Sequence, residues 1–228
     1  MKNSKKTLKM LIICIVGILV VALVNTFKKE GDPYENGQTI TYQTIEKENL
    51  LNSSEYKSYY IFFYKEGCPY CKEVEDDVKE FATNYSNIYF VNMDKKSKDY
   101  KKFNWNKFHE ENDIEIGEVK SNGKVEYYEG ESKEKYTKSK EKDEYGKTKR
   151  YEVKKADKEY LKTNKKARKG YVYASLETPN IDYYTLTSKD EIIIAGVPTL
   201  LHVKDSKVDK FYFDSVEIKP IMKELNKD

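Results

Sequence analysis

Two continuous apolar runs stand out in an otherwise polar chain, YYIFFY at residues 59–64 and IYFVNM at residues 88–93. Short runs without alternation are typical of strands that are buried on both faces, at the centre of a sheet covered by helices. Residues 68–85 predict a helix, and one buried face of it is formed by Val74, Val78, Phe81 and Ala82. With a strand predicted at residues 39–44 and a short helix at 45–54, the order is β-α-β-α-β.

The C-terminal part of the chain predicts a hairpin and a closing helix. Residues 199–203 and 210–213 have strand patterns and flank the turn residues Asp205 and Ser206. Residues 216–225 then predict a helix. We expect these elements to complete the sheet that the two apolar runs begin.

The segment at residues 95–189 is the least regular part of the chain. Weak apolar spacing at Tyr100, Phe103 and Phe108 predicts a helix. Four short β-patterns predict two hairpins. In the first, residues 114–119 pair with 125–127 around the turn Asn122-Gly123; in the second, residues 171–176 pair with 181–186. Residues 131–150 mix lysine and glutamate without a hydrophobic period, which predicts a mobile or solvated stretch. Because unstructured loops are rarely this long, we expect some structure in this segment.

Composition excludes several classes of protein. Lys+Arg 42 against Asp+Glu 39 leave a net charge of +3 over 228 residues. This balance argues against a nucleic-acid binder that depends on bulk positive charge. Three cysteines exclude a disulfide-rich scaffold, and two histidines leave little for a histidine-based metal site, so we expect no metal.

The N-terminus predicts the compartment, although the mean hydropathy is only −0.86. Four lysines precede an apolar segment at residues 10–27, which is about long enough to span a bilayer. We interpret it as an uncleaved signal anchor after a cytoplasmic tail at residues 1–9. A cleaved secretory signal peptide is the alternative. The positive-inside rule puts the linker at 28–37 and all that follows outside the cytoplasm.

The candidate chemistry lies where the first apolar run meets the predicted helix, at Cys68-Pro69-Tyr70-Cys71. A thiol in the first turn of a helix faces unpaired backbone N–H groups, which favour the thiolate. Three-residue spacing brings the second sulfur to nearly the same helix face, and proline suits the first turn. Two structural cysteines or half of a zinc site are the alternatives, but zinc needs two more ligands that the sequence does not pair with them.

Two motifs resemble the thioredoxin superfamily. Residues 62–78 (FFYKEGCPYCKEVEDDV) resemble its active-site strand, turn and helix, with the tetrapeptide typical of glutaredoxins. Residues 192–203 (IIIAGVPTLLHV) are similar to the segment that holds the cis-proline of thioredoxins. Where thioredoxins have a buried carboxylate six residues before the first cysteine, this chain has Phe62. Glutathione is not implied.

The resemblance implies an α/β thioredoxin-like fold, a central mixed sheet flanked by helices. Residues 38–94 and 190–228 would form this domain, and 95–189 a long α+β or partly disordered insertion. One N-terminal transmembrane helix would be added to it. The implied catalytic residues are Cys68, Cys71 and a cis Pro198 that faces the dithiol. The implied substrate-binding residues are Val197, Pro69, Tyr70 and Thr199.

The function that these observations predict is thiol–disulfide exchange by a membrane-anchored, extracytoplasmic oxidoreductase. Cys68 would attack, Cys71 would resolve the mixed disulfide, and no cofactor other than the Cys68–Cys71 disulfide would be needed. Partners would be cysteine-containing exported proteins and a membrane redox partner, with oxidase or isomerase favoured over reductase. We expect the insertion to cap the dithiol. The alternatives are a non-enzymatic accessory protein that binds or escorts an exported peptide or secretion component, and metal delivery by the dithiol.

Overall fold

The structure is a computed structural model and describes residues 42–227. Within this range the strands are β1 Ser58–Tyr64, β2 Ile88–Asn92, β3 Lys101–Lys102, β4 Ile114–Val119, β5 Val125–Tyr127, β6 Tyr151–Lys155, β7 Tyr171–Leu176, β8 Ile193–Ile194, β9 Thr199–Lys204 and β10 Lys207–Phe213. The α-helices are α1 Pro69–Lys72, α2 Glu75–Tyr85, α3 Met93–Lys96, α4 Trp105–Asn112, α5 Lys133–Thr137, α6 Tyr160–Thr163 and α7 Asp214–Leu225.

The first sheet has four strands in the order β10-β9-β1-β2. Strand β1 is parallel to β2 and antiparallel to β9, so the sheet is mixed. From Tyr59 to Tyr64, every residue of β1 except Tyr60 is at most 3% exposed. This confirms the prediction of a central strand covered on both faces. Asp205 and Ser206, both with positive φ, form the turn of the β9–β10 hairpin.

The register of the first sheet sets the position of the site. Phe63 near the end of β1 pairs with Thr199 at the start of β9. The chain therefore leaves β1 towards Cys68 beside the point where Pro198 enters β9. Two stretches that are far apart in the sequence meet at this edge of the sheet.

The predicted helix at residues 68–85 is two helices. Helix α1 ends after Lys72, and Val74 has φ −113° and ψ 0°, outside regular helical geometry. Glu75, Asp76 and Asp77 begin α2, and acidic side chains in a first turn stabilise a new helix start. Val74, Val78 and Phe81 are nonetheless buried as the spacing predicts, whereas Ala82, the fourth residue of the predicted face, is only half-buried.

Residues 95–189 contain a second sheet, antiparallel throughout, in the order β5-β4-β7-β6. Its core is formed by Ile116, Tyr136, Val172 and Ala174. The β4–β5 hairpin is confirmed. The predicted hairpin of residues 171–176 with 181–186 is wrong, because β7 pairs instead with β4 and with β6, to which the sequence analysis assigned no element.

A third sheet consists of β3 and β8, which run parallel. It joins the segment after α3 to the segment just before Pro198. The helix predicted near residues 100–108 starts only at Trp105, because Lys101 and Lys102 are in β3.

The predicted fold class is therefore wrong. The prediction was one thioredoxin-like sheet with a long α+β or partly disordered insertion and a transmembrane helix, whereas residues 42–227 form a mixed α/β structure with three separate sheets and no helix that could span a membrane. The physical reason is that the segment at 95–189 forms a sheet and core of its own and also pairs through β3 with β8, so it is not a separate insertion.

Three other predictions concern the N-terminal side. None of the helices in residues 42–227 combines the length and apolarity needed to cross a membrane. The transmembrane helix predicted at residues 10–27 lies outside the described residues. Of the predicted strand at 39–44, only residues 42–44 are described, and Thr44 forms a single bridge to Phe90. The helix predicted at 45–54 is a 3₁₀ turn at Lys47–Asn49.

Candidate active site

Cys68 lies at the junction of β1 and α1, where it caps the helix. Its Sγ accepts a hydrogen bond from the backbone N–H of Cys71, with a separation of 3.4 Å. Pro69 occupies the first helical position, where no N–H is needed. Cys68 is half-buried, so its sulfur can be reached by a partner molecule.

Cys71 has the opposite environment. Its side chain is only 1% exposed, and no disulfide joins it to Cys68 in this structure. Burial raises the pKa of the Cys71 thiol well above its usual range, and the hydrogen bond with Cys68 raises this pKa further. The reduced site therefore has one accessible sulfur and, behind it, one buried thiol that keeps its proton.

The Val197–Pro198 peptide bond is cis, as the resemblance implied. The Cys68 thiol donates a hydrogen bond to the carbonyl oxygen of Val197 over 3.6 Å. The structure thus brings the dithiol and the cis-proline segment together from positions about 130 residues apart in the chain.

The cis-proline segment is held from two sides. The backbone N–H of Asp214, the first residue of α7, donates to the Pro198 carbonyl at 3.0 Å. The Thr199 hydroxyl donates to the Gly196 carbonyl at 2.8 Å. A third contact connects α7 to the dithiol helix, because the Ser215 hydroxyl donates to Glu73 at 2.5 Å.

The residues proposed for substrate binding differ in accessibility. Tyr70 is 59% exposed and Pro69 is exposed, so both lie on the surface beside Cys68. Val197 is half-buried. Thr199 is fully buried and its hydroxyl is used within the segment, so the structure makes it a support of the loop rather than a contact for substrate.

A cleft of about 330 Å³ opens beside Val197. Its lining includes the aromatic residues Tyr100, Phe103 and Trp105 and the lysines Lys65, Lys101 and Lys102. The sequence gives no signal for this cleft, because its walls come from Lys65 after β1, from α3, β3 and α4, and from the segment before Pro198. No local spacing relates these residues.

Two site residues have no signal in the sequence. Trp105 donates its indole N–H to the Ala195 carbonyl at 2.7 Å, two residues before Val197. Asp94 is a carboxylate near Cys71, and its negative charge contributes to the raised pKa of that thiol. Asp94 also accepts a hydrogen bond from the backbone of Glu66 at 2.9 Å.

Within residues 42–227, no group of three or more His, Cys, Asp and Glu side chains has the arrangement of a metal site. Comparisons with known proteins give no match to a family model, to a curated protein or to a solved structure.

Proposed function

We propose that this protein is a thiol–disulfide oxidoreductase that exchanges disulfides with other polypeptides. The proposal rests on one observation, the contact between the Cys68 sulfur and the Val197 carbonyl oxygen at 3.6 Å, next to the cis peptide bond of Pro198. Cys71 lies buried behind this contact. The similarity of both motifs to the thioredoxin superfamily supports the same function. From residue 30 onwards the chain contains no other cysteine, so a sulfur partner for this pair must come from another molecule.

The reaction needs no cofactor to balance. The Cys68 thiolate attacks one sulfur of a substrate disulfide, which forms a mixed disulfide and releases the other sulfur as a thiolate that takes up a proton. Cys71 then loses its proton and attacks Cys68 Sγ, which forms the Cys68–Cys71 disulfide and releases the second substrate sulfur. Two electrons pass from the protein dithiol to the substrate disulfide. The reverse sequence oxidises a substrate dithiol.

A second dithiol–disulfide couple must return the protein to its starting state in either direction. The buried Cys71 suits the resolving role, because its thiol reacts only after the mixed disulfide has formed beside it. The substrates that we propose are cysteine-containing exported proteins. Their location outside the cytoplasm stays a prediction from residues 1–29.

The decisive experiment uses the Cys71→Ser variant with insulin as a disulfide-containing probe. We expect this variant to accumulate a mixed disulfide between Cys68 and insulin, visible by non-reducing electrophoresis and mass spectrometry. The wild-type protein should reduce insulin catalytically with dithiothreitol as the electron donor. The Cys68→Ser variant is the matched control and should do neither.

Two results would count against an enzyme. If the wild-type protein reduces insulin no faster than Cys68→Ser does, the dithiol has no exchange activity. If Cys71→Ser also forms no adduct, the accessory protein that binds without chemistry becomes the better explanation. Identification of proteins attached to Cys71→Ser in cells would give the physiological substrates and the direction of electron transfer.

A further inference from the structure

The carbonyl groups of the segment before Val197 are already engaged. Those of Ile192 and Ile194 accept from the backbone N–H groups of Lys101 and Phe103. Those of Ile193, Ala195 and Gly196 accept from side chains, namely the Tyr183 hydroxyl, the Trp105 indole and the Thr199 hydroxyl. An extended substrate therefore finds no unoccupied carbonyl acceptor at these five residues.

The Val197 carbonyl is the exception in this segment, because its donor is the Cys68 thiol itself. When Cys68 enters a mixed disulfide, it loses the S–H, and this carbonyl becomes free to accept from the substrate backbone. Among the carbonyls of residues 192–197, the one that a mixed disulfide frees for the substrate backbone is thus that of Val197. Selectivity has to come from side chains on the path that the substrate takes beyond this point.

That path leads into the cleft beside Val197. Its lining runs from Val197 and Gly196 to the aromatic side chains of Phe103 and Trp105, whose ring centroids are 4.9 Å apart. A volume of about 330 Å³ is at the lower end of the range for ligand sites, which suits a short stretch of polypeptide. The cleft and the reactive sulfur share Val197 as a common wall.

The charge of the cleft is positive. Lys65, Lys101 and Lys102 line it and are exposed, and within residues 42–227 no ion pair joins any of them to a carboxylate. The neighbouring Lys95 and Lys96 are different, because they pair with Glu66 and Glu46. The pKa of Asp190 is lowered mainly by Lys47 and that of Glu191 mainly by the backbone N–H groups of Thr187 and Ser188, and Lys101 adds a smaller lowering to both. These two carboxylates are already engaged, Asp190 with Lys47 and Glu191 with the backbone of Thr187 and Ser188.

We propose that this cleft binds an acidic stretch of the substrate polypeptide next to its reactive cysteine. The inference rests on the proposed thiol–disulfide exchange and adds the class of substrate. Carboxylates would meet Lys65, Lys101 and Lys102 at the rim, and the substrate backbone would lie against Phe103 and Trp105. Charge complementarity of this kind acts mainly on specificity and on the rate of association.

The test compares two peptides that differ only in charge. Each carries one cysteine joined by a disulfide to thionitrobenzoate, with two flanking glutamates in one peptide and two flanking glutamines in the other. The reduced wild-type protein should release thionitrobenzoate from the glutamate peptide about fivefold faster at low salt, because two charge pairs favour its association. The preference should shrink at 0.5 M salt, where charges are screened.

Three double lysine variants locate the effect. Lys101→Gln with Lys102→Gln should reduce the glutamate-to-glutamine rate ratio to near one. Lys138→Gln with Lys140→Gln removes the same charge from exposed positions far along the chain and should leave the ratio unchanged. Because each variant is read as a ratio of two rates, a general loss of activity does not imitate the expected result. Lys101→Glu with Lys102→Glu should make a lysine-flanked peptide the faster substrate.

Equal rates for the two peptides with the wild-type protein would overturn this inference and leave the proposed function standing. An equal loss of preference in the Lys138/Lys140 variant would also overturn it, because net charge would then explain the effect. If neither peptide reacts faster with the wild-type protein than with Cys68→Ser, the proposed function itself fails.

Discussion

Cys68 and Cys71 are three residues apart and chemically identical, but their surroundings differ. Cys68 is half-buried and its thiol donates to the Val197 carbonyl. Cys71 is 1% exposed, and burial raises the pKa of its thiol. This asymmetry is what an attacking sulfur and a resolving sulfur require, since only the first should react with molecules from solution.

A labelling experiment tests the asymmetry. In the reduced protein at pH 8, we expect iodoacetamide to modify Cys68 at least about tenfold faster than Cys71, because alkylation needs an accessible thiolate. Mass spectrometry of proteolytic peptides measures the two rates separately. In reduced Cys68→Ser, Cys71 should stay almost unlabelled until the protein is unfolded. Similar rates at the two positions would contradict the burial of Cys71.

The raised pKa of Cys71 also predicts a dependence of stability on pH. An unfolded cysteine loses its proton near pH 8.5, whereas folded Cys71 keeps it, so the free energy of unfolding falls as pH rises from about 8.5 to 10. The loss approaches about 1.4 kcal/mol per pH unit for one group. Stability from this group is complete below pH 8.5.

Urea denaturation of the dithiol form at several pH values measures this effect. Cys71→Ser lacks the titrating thiol and should lose less stability between pH 8.5 and 10 than the wild-type protein. Identical slopes for the two proteins would show that Cys71 does not titrate abnormally. The comparison stays below pH 10 because buried tyrosines such as Tyr59 also have raised pKa values.

Among the secondary-structure elements, α4 acts on the site through one residue. Trp105 packs against Phe103 and Phe108 and donates its indole N–H to Ala195, so it holds the segment that leads to Val197. His109 stacks on the other side of this ring, with its centroid 5.4 Å away. The helix that follows β3 therefore positions the cis-proline segment.

Trp105→Phe keeps an aromatic ring and removes the donor. We expect a loss of about 1 kcal/mol in stability, because the Ala195 carbonyl loses a partner, and a several-fold slower exchange with insulin. The control is Tyr128→Phe, which removes a hydroxyl that donates to Glu115 in the second sheet. This variant should leave the exchange rate unchanged. Unchanged exchange in Trp105→Phe would show that the indole does not position the loop.

At the scale of the molecule, buried ion pairs connect the segment after α5 to α7. Lys147 bonds Glu217 at 2.8 Å and lies 3.7 Å from the ring centroid of Phe211, and its side chain is only 10% exposed. Arg150 bonds Asp214 at 2.7 Å. Burial lowers the pKa of Lys147, although Glu217 opposes this. The backbone N–H of Asp214 also donates to the Pro198 carbonyl, so the Arg150–Asp214 ion pair is connected to the candidate site.

Lys147→Met should therefore destabilise the protein by about 3 kcal/mol, because Glu217 would keep a largely buried charge without its nearest partner. Lys149→Met is the matched control. Lys149 pairs with the more exposed Glu141, so its loss should cost about 1 kcal/mol or less. Urea denaturation at pH 7 measures both. Adding Glu217→Gln to Lys147→Met should recover part of the loss, and equal effects of the two lysine variants would contradict the buried pair.

These contacts connect residues 95–189 to the candidate site. The segment contributes β3 and Trp105 to the surroundings of the cis-proline, and Lys147 and Arg150 to α7. Its removal would take away supports of the site. We therefore expect deletion to impair folding and exchange together, which makes single substitutions the better test of its role.

Much of the candidate site could be predicted from short patterns. The apolar run at 59–64, the tetrapeptide that begins with Cys68, and Gly196-Val197-Pro198 each depend on residues that are neighbours in the chain. Strand burial, the start of a helix and the geometry before a proline are local properties, so they can be read without knowing the fold. The meeting of Cys68 with Val197 followed from the resemblance of these motifs to a family.

Only the tertiary structure decided the rest, because it depends on contacts between distant residues. The second sheet exists because β7 pairs with β4 and with β6. The residue pattern of β7 predicts a strand but does not specify these partners. Trp105, Asp94 and Lys147 carry no motif, and their roles come from what lies across from them. Backbone pairing and burial depend on residues that are distant in the chain. They bring the two local motifs together and form the positively charged cleft beside them.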